Sequence, residues 1–216
     1  DLWGSATMRT AGEEFAMALN LVGALPKWDE KSERLNGFEI IPLSLLDRPR
    51  IDVSLRISGL FRDVFPILAQ MFDKIIQALA NRDEAEADNP YTTYEPRVFG
   101  PKPGSFGVNL NSFINDLTDN SRKSAAISWL RASSWTIKQD GKIENDRKSL
   151  ERQILKSDSY LHIQDMPETD LLMASDYAAH EGGFSAAADY LGGSEKKMYH
   201  LDTSNPDMPK TRLLKE

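Results

Sequence analysis

The sequence predicts an α/β fold, with a largely parallel sheet flanked by helices and a helical insertion in the middle third. Two observations predict it. Short alternating segments such as "RIDVSLRIS" take turns along the chain with longer segments of helical periodicity. Strand-then-helix alternation of this kind is the pattern of parallel sheets joined by crossover helices. Several strand-like segments also end in small or polar residues and hand over directly to a helix, as at Ser58-Gly59.

The elements follow in order. "DLWG" reads as the end of a strand. "TAGEEFAMALNLVG", residues 10 to 23, carries Phe15, Leu19 and Val22 at helical spacing, with Thr10 and Glu13 placed as a capping box and Pro26 as the stop. "FEIIPLSLL" reads as a short strand running into a turn. In "RIDVSLRIS", Ile51, Val53, Leu55 and Ile57 share one face of a strand, and Asp52, Ser54, Arg56 and Ser58 the other. Phe61, Val64, Phe65, Leu68, Phe72, Ile75, Ile76 and Leu79 then mark a long helix, in which Pro66 is tolerable only near the first turn. Residues 82 to 95 are acidic and polar and read as a mobile crossing. "RVFGPKPGSFG" reads as a Gly/Pro loop, and residues 108 to 156 as mostly helical with a turn at "KQDGK". "DSYLHIQD" is a strand, "GGFSAAADYLGG" a helix between glycines, and "KMYHLDTSNPDMP" a strand and turn. "KTRLLK" reads as the start of a helix. The division expected is residues 1–81 as the first part of an α/β domain, 82–156 as loop and helical insertion, and 157–216 as the second part of the same domain, truncated. With Asp1 rather than Met in first place, the sequence reads as a piece of a longer polypeptide.

Composition narrows the function. The 216 residues carry 26 Lys plus Arg against 33 Asp plus Glu, a net charge of -7 that repels phosphate backbones. No basic aromatic cluster offsets this, so nucleic acid is not an expected partner. There is no cysteine, which excludes disulfides and thiolate chemistry and suits a reducing cytoplasm. No apolar run approaches the roughly 20 residues of a membrane span. No P-loop pattern and no G-x-G-x-x-G after a strand occurs, which argues against a nucleotide-binding α/β domain.

In open parallel sheets, ligands lie outside the carboxyl ends of the strands. Four such ends are expected: Trp3-Gly4-Ser5, Ser58-Gly59, Gln164-Asp165 and Asp202-Thr203-Ser204. Small residues let a ligand approach the backbone, and a following helix N-terminus favours anionic groups.

"RPRIDVSLRISGLFRDVFP" resembles a segment of the large subunits of aerobic cobaltochelatase and magnesium chelatase. "DLWGSATMRTAGEEFAMALNLVGALPKW", "RVFGPKPGSFG", "HIQDMPETDLLMASDYAAHEGGFSAA" and "YHLDTSNPDMPKTRLLKE" resemble further blocks of that family in the family's order. "HEGG" and "YHLD" are similar to the cobalt branch. The resemblance implies insertion of Co2+, the substrate metal, into hydrogenobyrinic acid a,c-diamide. It also implies ATP and Mg2+ handled by separate AAA+ partner subunits, and an isolated piece that does not catalyse alone.

A flat apolar ring edged with carboxylates needs aromatic or small faces and cationic or N–H donors at its rim. Its inner N–H protons need a base, and cobalt favours imidazole and carboxylate. Substrate-binding candidates are Trp3, Gly4, Arg56, Ser58, Gly59, Arg62, Lys102 and Thr203. Core packing for Trp3, ion pairs for Arg56 and Arg62, and a plain turn for Lys102 are the alternatives. His180, Glu181 and Asp165 are the catalytic candidates. His200 and Asp202, two apart on a strand, are the metal candidates, with His162 beside them. Hydrogen-bonded structural histidines are the alternative reading. A different class of function also stands: a docking platform for the AAA+ subunits, using the acidic residues 82 to 95.

Overall fold

The computed structural model describes residues 1–32, 34–108, 110, 118–166, 175–205 and 207–213. The fold is mixed α/β. Asp1 and Leu2 form the tip of a strand. The amide of Leu2 donates to Arg56 O (2.8 Å), Ser58 N donates to Leu2 O (2.9 Å), and Leu2 pairs with Ile57 in parallel. On the other side the nitrogen of Asp1 reaches Leu161 O at 2.7 Å. These two residues therefore join two sheets. One holds β3 (Leu55–Arg56), β4 (Val98–Gly100), β5 (Trp135–Ile137) and β6 (Ile143–Asn145); the other holds β7 (Ser159–Gln164), β8 (Lys197–Asp202) and β9 (Lys210–Leu213).

The pairs next to this junction, β3 with β4 and β7 with β8, are parallel. The outer pairs β4–β5, β5–β6 and β8–β9 are antiparallel, as is the separate ribbon of β1 (Ala24–Trp28) with β2 (Leu35–Ile40). The sheets are thus mixed, where the sequence suggested a largely parallel one. The middle third also departs from the expected helical insertion. Its helices α6 (Asp119–Ser133) and α7 (Arg147–Lys156) flank a hairpin, β5–β6, whose turn at Gly141 (φ +81°) is the "KQDGK" segment. Residues 109 and 111–117 of that stretch lie outside the described residues.

Helices follow the strand ends closely. α1 (Gly4–Arg9) begins directly after Trp3 and was not anticipated. α2 (Glu13–Val22) is capped by Gly12, so the Thr10–Glu13 box does not form; the Thr10 hydroxyl donates to Ala6 O and Glu14 instead. α3 (Leu43–Leu46) is one turn. Ser58 caps α4 (Gly59–Val64), its hydroxyl accepting from Phe61 N at 3.1 Å. Phe65 breaks the helix, and Pro66 opens α5 (Pro66–Ala80) at its first position, where no amide is needed. After β7 come α8 (Ser175–Tyr177), a π-helical turn Ala178–Gly182 and α9 (Gly183–Tyr190). Residues 210–213 are strand, not helix, because they pair with Tyr199–Asp202; residues 214–216 lie outside the described residues.

Two cores result, one on each face. Leu2, Phe15, Leu19, Leu55, Ile57, Phe72, Ile75, Ile76 and Val98 pack with α2 and α5. Phe99, Trp129, Leu130, Leu150, Ile154, Tyr160 and Phe184 pack with α6, α7 and α9. Val98 and Phe99 go to opposite cores, as strand alternation requires. The predicted strand 50–58 is shorter than its alternation, because polar anchors take over its first half. Buried Arg50 donates to Glu84 (2.8 and 2.9 Å) and to the carbonyls of Val22, Gly23 and Ile41. Tyr91 takes the Val53 amide and donates to Ile51 O, both at 2.8 Å. With Glu84, Asn89 and Tyr91 held this way, the crossing 82–95 is anchored, not mobile.

A Cβ on Gly4 would stand 2.6 Å from Phe61 N and 2.8 Å from the Leu60 carbonyl carbon, so α1 and α4 meet backbone to backbone. Gly4→Ala is expected to lower stability by about 1–3 kcal/mol, as overpacking does. Gly182→Ala, where nothing lies within 4 Å, is expected to be neutral or slightly stabilising. Urea midpoints of the two variants check this; equal midpoints would refute the close approach.

Candidate functional site

The junction strand positions the site. Trp3 ends it, and its ring lies tilted against two imidazoles, His162 at 4.5 Å and His180 at 4.8 Å between centroids. The carboxylate of Asp1 is fully buried on the same face. It accepts from Trp3 Nε1 (2.9 Å), the Tyr160 hydroxyl (2.8 Å) and Arg56 Nη1 (3.2 Å). Arg56 is buried too, and its Nε donates to Ser133 Oγ at 3.4 Å. Burial brings its guanidinium down to about 10, which leaves it charged at neutral pH. Burial pushes the Tyr160 phenol well above its ordinary range, so it stays a donor.

Arg56 decides the state of His180. Its Nη1 stands 2.6 Å from His180 Nδ1, and a guanidinium only donates. Nδ1 must then carry the lone pair and Nε2 the proton. Asp1 Oδ2 is 3.1 Å from the same Nδ1, a contact between two acceptors and no hydrogen bond while Arg56 holds the nitrogen. Burial, followed by the Arg56 charge, lowers the His180 imidazole far below its ordinary value, in agreement with a neutral ring.

The second half of the cluster centres on Glu181, which the π-helical turn carries over β7 and β8. Oε1 of Glu181 faces His162 Nδ1 at 3.2 Å and, in closer contact, His200 Nε2. His162 and His200 are register partners on the parallel pair, with ring centroids 6.3 Å apart. Burial lowers His162 to about 4, outweighing the Glu181 hydrogen bond that favours its charged form. A neutral His162 still donates through Nδ1–H. Burial alone would raise Glu181, but the bonds from His162 and His200 prevail and hold its carboxyl below the usual range. Glu181 is thus a carboxylate at neutral pH, with a side chain 12% exposed. Both imidazoles address one oxygen with N–H groups, which is the geometry of a held anion. Among the described residues, no group of three or more His, Asp or Glu side chains is arranged to hold a metal ion.

The remaining expected residues fall around this cluster. Asp165 pairs with Arg9 (2.5 and 2.9 Å), tying α1 to the end of β7. Asp202 accepts from Ser204 and from Arg212 at 2.6 Å, while His200 turns to Glu181, so the two metal candidates do not converge. Thr203 N donates to Gln164 O at 2.9 Å, aligning the ends of β7 and β8. Ser58 Oγ accepts from Gly4 N at 3.1 Å, aligning the other two ends. Arg62 spends its donors on Asp63 (2.6 and 2.9 Å) and on the carbonyls of Pro101 and Lys102 (3.0 and 2.7 Å), as the ion-pair alternative anticipated. A Cβ on Gly59 would stand 2.7 Å from Ser105 O, so its small size serves this loop. Lys102 is exposed, its ammonium 5.8 Å from the Trp135 ring.

The four strand ends therefore lie on one rim, with Trp3, Arg56, His162, His180, Glu181 and His200 gathered beneath it. Sequence reasoning missed Asp1, Tyr160 and Ser133. Asp1 and Tyr160 each stand two residues from a chosen residue, Trp3 and His162, and strand alternation could have found them. Ser133 ends a helix with little apolar periodicity and gave no signal.

Acid sensitivity follows from His162. The unfolded chain takes up its proton near the ordinary 6.5, the folded chain only near 4. The unfolded state binds more protons between these values, so stability rises with pH across that window. Glu181, held low, acts in the same direction as pH falls through its folded value. Between pH 7 and 4.5 the His162 share is expected to reach about 3 kcal/mol at most. Urea midpoints over that range check it, with His162→Gln giving a flatter slope; a midpoint independent of pH would refute a neutral buried His162.

All 216 residues match the family model described as CobN/Magnesium Chelatase. The chain is 40% identical to the aerobic cobaltochelatase subunit CobN of Sinorhizobium sp, over 99% of this chain and 18% of the relative. To the subunit of that name from Pseudomonas aeruginosa it is 38% identical, over 100% of this chain and 19% of the relative. The structure superposes on the catalytic subunit of cobaltochelatase from Mycobacterium tuberculosis with a TM-score of 0.90 and 31% identity, covering 99% of this chain and 19% of that one. The chain thus spans about a fifth of the relatives it matches, and it belongs to the CobN/magnesium chelatase family.

Proposed function

We propose that this chain is part of the large, tetrapyrrole-binding subunit of an ATP-dependent cobaltochelatase, and that it carries the base for Co2+ insertion into hydrogenobyrinic acid a,c-diamide. One observation carries the reading: Glu181 is kept as a carboxylate by two imidazole N–H groups, partly open to solvent, beneath a rim of converging strand ends.

Inner N–H protons must leave the ring as metal enters. A carboxylate that is ionised at neutral pH and still partly open to solvent is in the right form to accept such a proton. His180 does not suit the role of base, since Arg56 occupies its lone pair. It serves with Arg56 and Asp1 to position Trp3. Asp165, paired with Arg9, braces α1. The ring itself lies over the rim, against Trp3 and the exposed side chains of Met8 and Phe106, with Lys102 reaching its carboxylates. Cobalt would arrive on the Glu181–His200 side, as substrate. ATP and Mg2+ act on AAA+ partner subunits in the cytoplasm, with the rest of the large subunit completing the site.

The reading of residues 82–95 as a docking surface for those partners draws less support. Glu84 is spent on Arg50 and Arg82, and Glu95, at the end of the stretch, on Arg97, Arg152 and Lys156. Cobalt is preferred to magnesium on the names of the two relatives and the solved structure.

The test uses the full-length subunit with its AAA+ partners, following metal insertion by the visible spectrum of the macrocycle. Glu181→Gln is expected to slow insertion by at least ~100-fold, as loss of a general base does, while macrocycle affinity barely changes. Insertion at the unaltered rate would remove Glu181 from the mechanism. Lys102→Glu is expected to weaken macrocycle binding about tenfold at low salt, and less as salt rises. Unchanged affinity at every salt concentration would take Lys102 out of the site.

A further inference from the structure

A cavity of about 500 Å³ opens beside Asp1, at the amino ends of the strands and away from the rim. Residues 51–55 line one side and residues 158–161 the other. Met17, Ala18 and Leu21 of α2 form one face; Trp129, Ile154 and Phe184 form the other. Its size and aromatic lining are those of a small-molecule pocket. Its edges are not. They are the edge of β7 and the extended chain leading into β3, facing each other across a gap, and the gap lies in line with Asp1 and Leu2.

We infer that this groove holds an extended segment of the parent polypeptide, the residues immediately N-terminal to Asp1, as a parallel strand between β3 and β7. The inference rests on family membership, not on the proposed base. The relatives are about five times as long as this chain, which covers 18% and 19% of them, so they contain chain able to fill the groove.

Leu2 faces β3: its N donates to Arg56 O and its O accepts from Ser58 N. Asp1 faces β7, its N reaching Leu161 O. Partners alternate along a central strand of a parallel sheet. The residue just before Asp1 must therefore face β3 again, donating to Ser54 O and accepting from Arg56 N. The residue before that faces β7, donating to Ser159 O and accepting from Leu161 N. Side chains alternate likewise, one toward the core of Phe15 and Ala18 and the next toward Trp129 and Phe184. Both faces are apolar, so the segment is apolar at successive positions, as strands covered on both sides are. Residues 51–55 offer length for about five residues, roughly 16 Å at the rise of a strand. The macrocycle is then confined to the rim.

Hydrogen exchange on the full-length subunit tests this. Without any ligand, the amides of Arg56 and Leu161 are expected to exchange as slowly as those of Leu55 and Ile57, and at least ~100-fold slower than the exposed amide of Lys31. Placing Pro two positions before Asp1 removes the donor to Ser159 O and is expected to speed exchange at Leu161. Fast exchange at Arg56 and Leu161 in the ligand-free subunit would overturn the inference. Protection appearing only when hydrogenobyrinic acid a,c-diamide is added would overturn it too, making the groove the ring's pocket. Loss of insertion in Glu181→Gln would be unaffected by either result, so the two readings fail separately.

Discussion

The architecture depends on two residues of backbone. Asp1 and Leu2 hydrogen-bond to β7 on one side and to β3 on the other, and without them the two larger sheets have separate edges. This seam sets the direction of both parallel pairs, so the carboxyl ends of β3, β7 and β8 emerge on one rim. It also sets which side chains meet. Asp1 and Trp3 share a face of the seam, and that face meets the one from which β7 offers Tyr160 and His162. A slip of one residue would send all of them into the opposite core, which Phe15, Leu19 and Phe72 already fill.

Charge is distributed around the seam in two unlike ways. Asp1 and Arg56 neutralise each other, with Tyr160, Trp3 and Ser133 satisfying the remaining valences. That half is a closed network, and a complete network rigidifies its surroundings. The Glu181 half is different. Its ionic contacts among the described residues are two imidazoles, of which His162 is held neutral by burial. Glu181 thus has imidazole partners and no Lys or Arg ion pair among the described residues. Trp3 separates the halves, touching His162 on one side and His180 on the other.

Much of the local structure was legible in the sequence, because the signals were short-range. The strand 159–164, the helix between glycines and the start of a helix at Ser58-Gly59 follow from periodicity and capping. The failures have long-range causes. "RIDVSLRIS" alternates as a strand, yet its first half is held by Arg50 and Tyr91, partners 34 and 38 residues from their bonds to Glu84 and Val53. The acidic crossing looked mobile because its anchors lie elsewhere in the chain. "KTRLLK" looked helical, but the edge of β8 takes its residues 210–213 as a strand. At the site, the residue types were readable and their assignments were not. Arg56 and Arg62 are the right chemistry for a carboxylated ring, but burial commits both to internal partners. The glycines at the rim looked like room for a ligand, and their space is taken by Phe61, Leu60 and Ser105 of the same chain.

Energetics give a reason to read the Glu181 cluster as functional. Taking a carboxylate most of the way out of water costs several kcal/mol, which the bonds from His162 and His200 must offset. Apolar side chains at 162, 181 and 200 would suit two adjacent parallel strands better, as the neighbouring Ile163 illustrates at 3% exposure. The closed Asp1–Arg56 network has a structural rationale, since it ties the seam strand to β3, β7 and the π-helical turn in one place. The Glu181 triad adds little of that kind, for β7 and β8 are already joined by a full parallel ladder. A costly, ionised and partly reachable group, at a point where the fold does not need it for cohesion, fits the proton transfer proposed for it better than a part in stability.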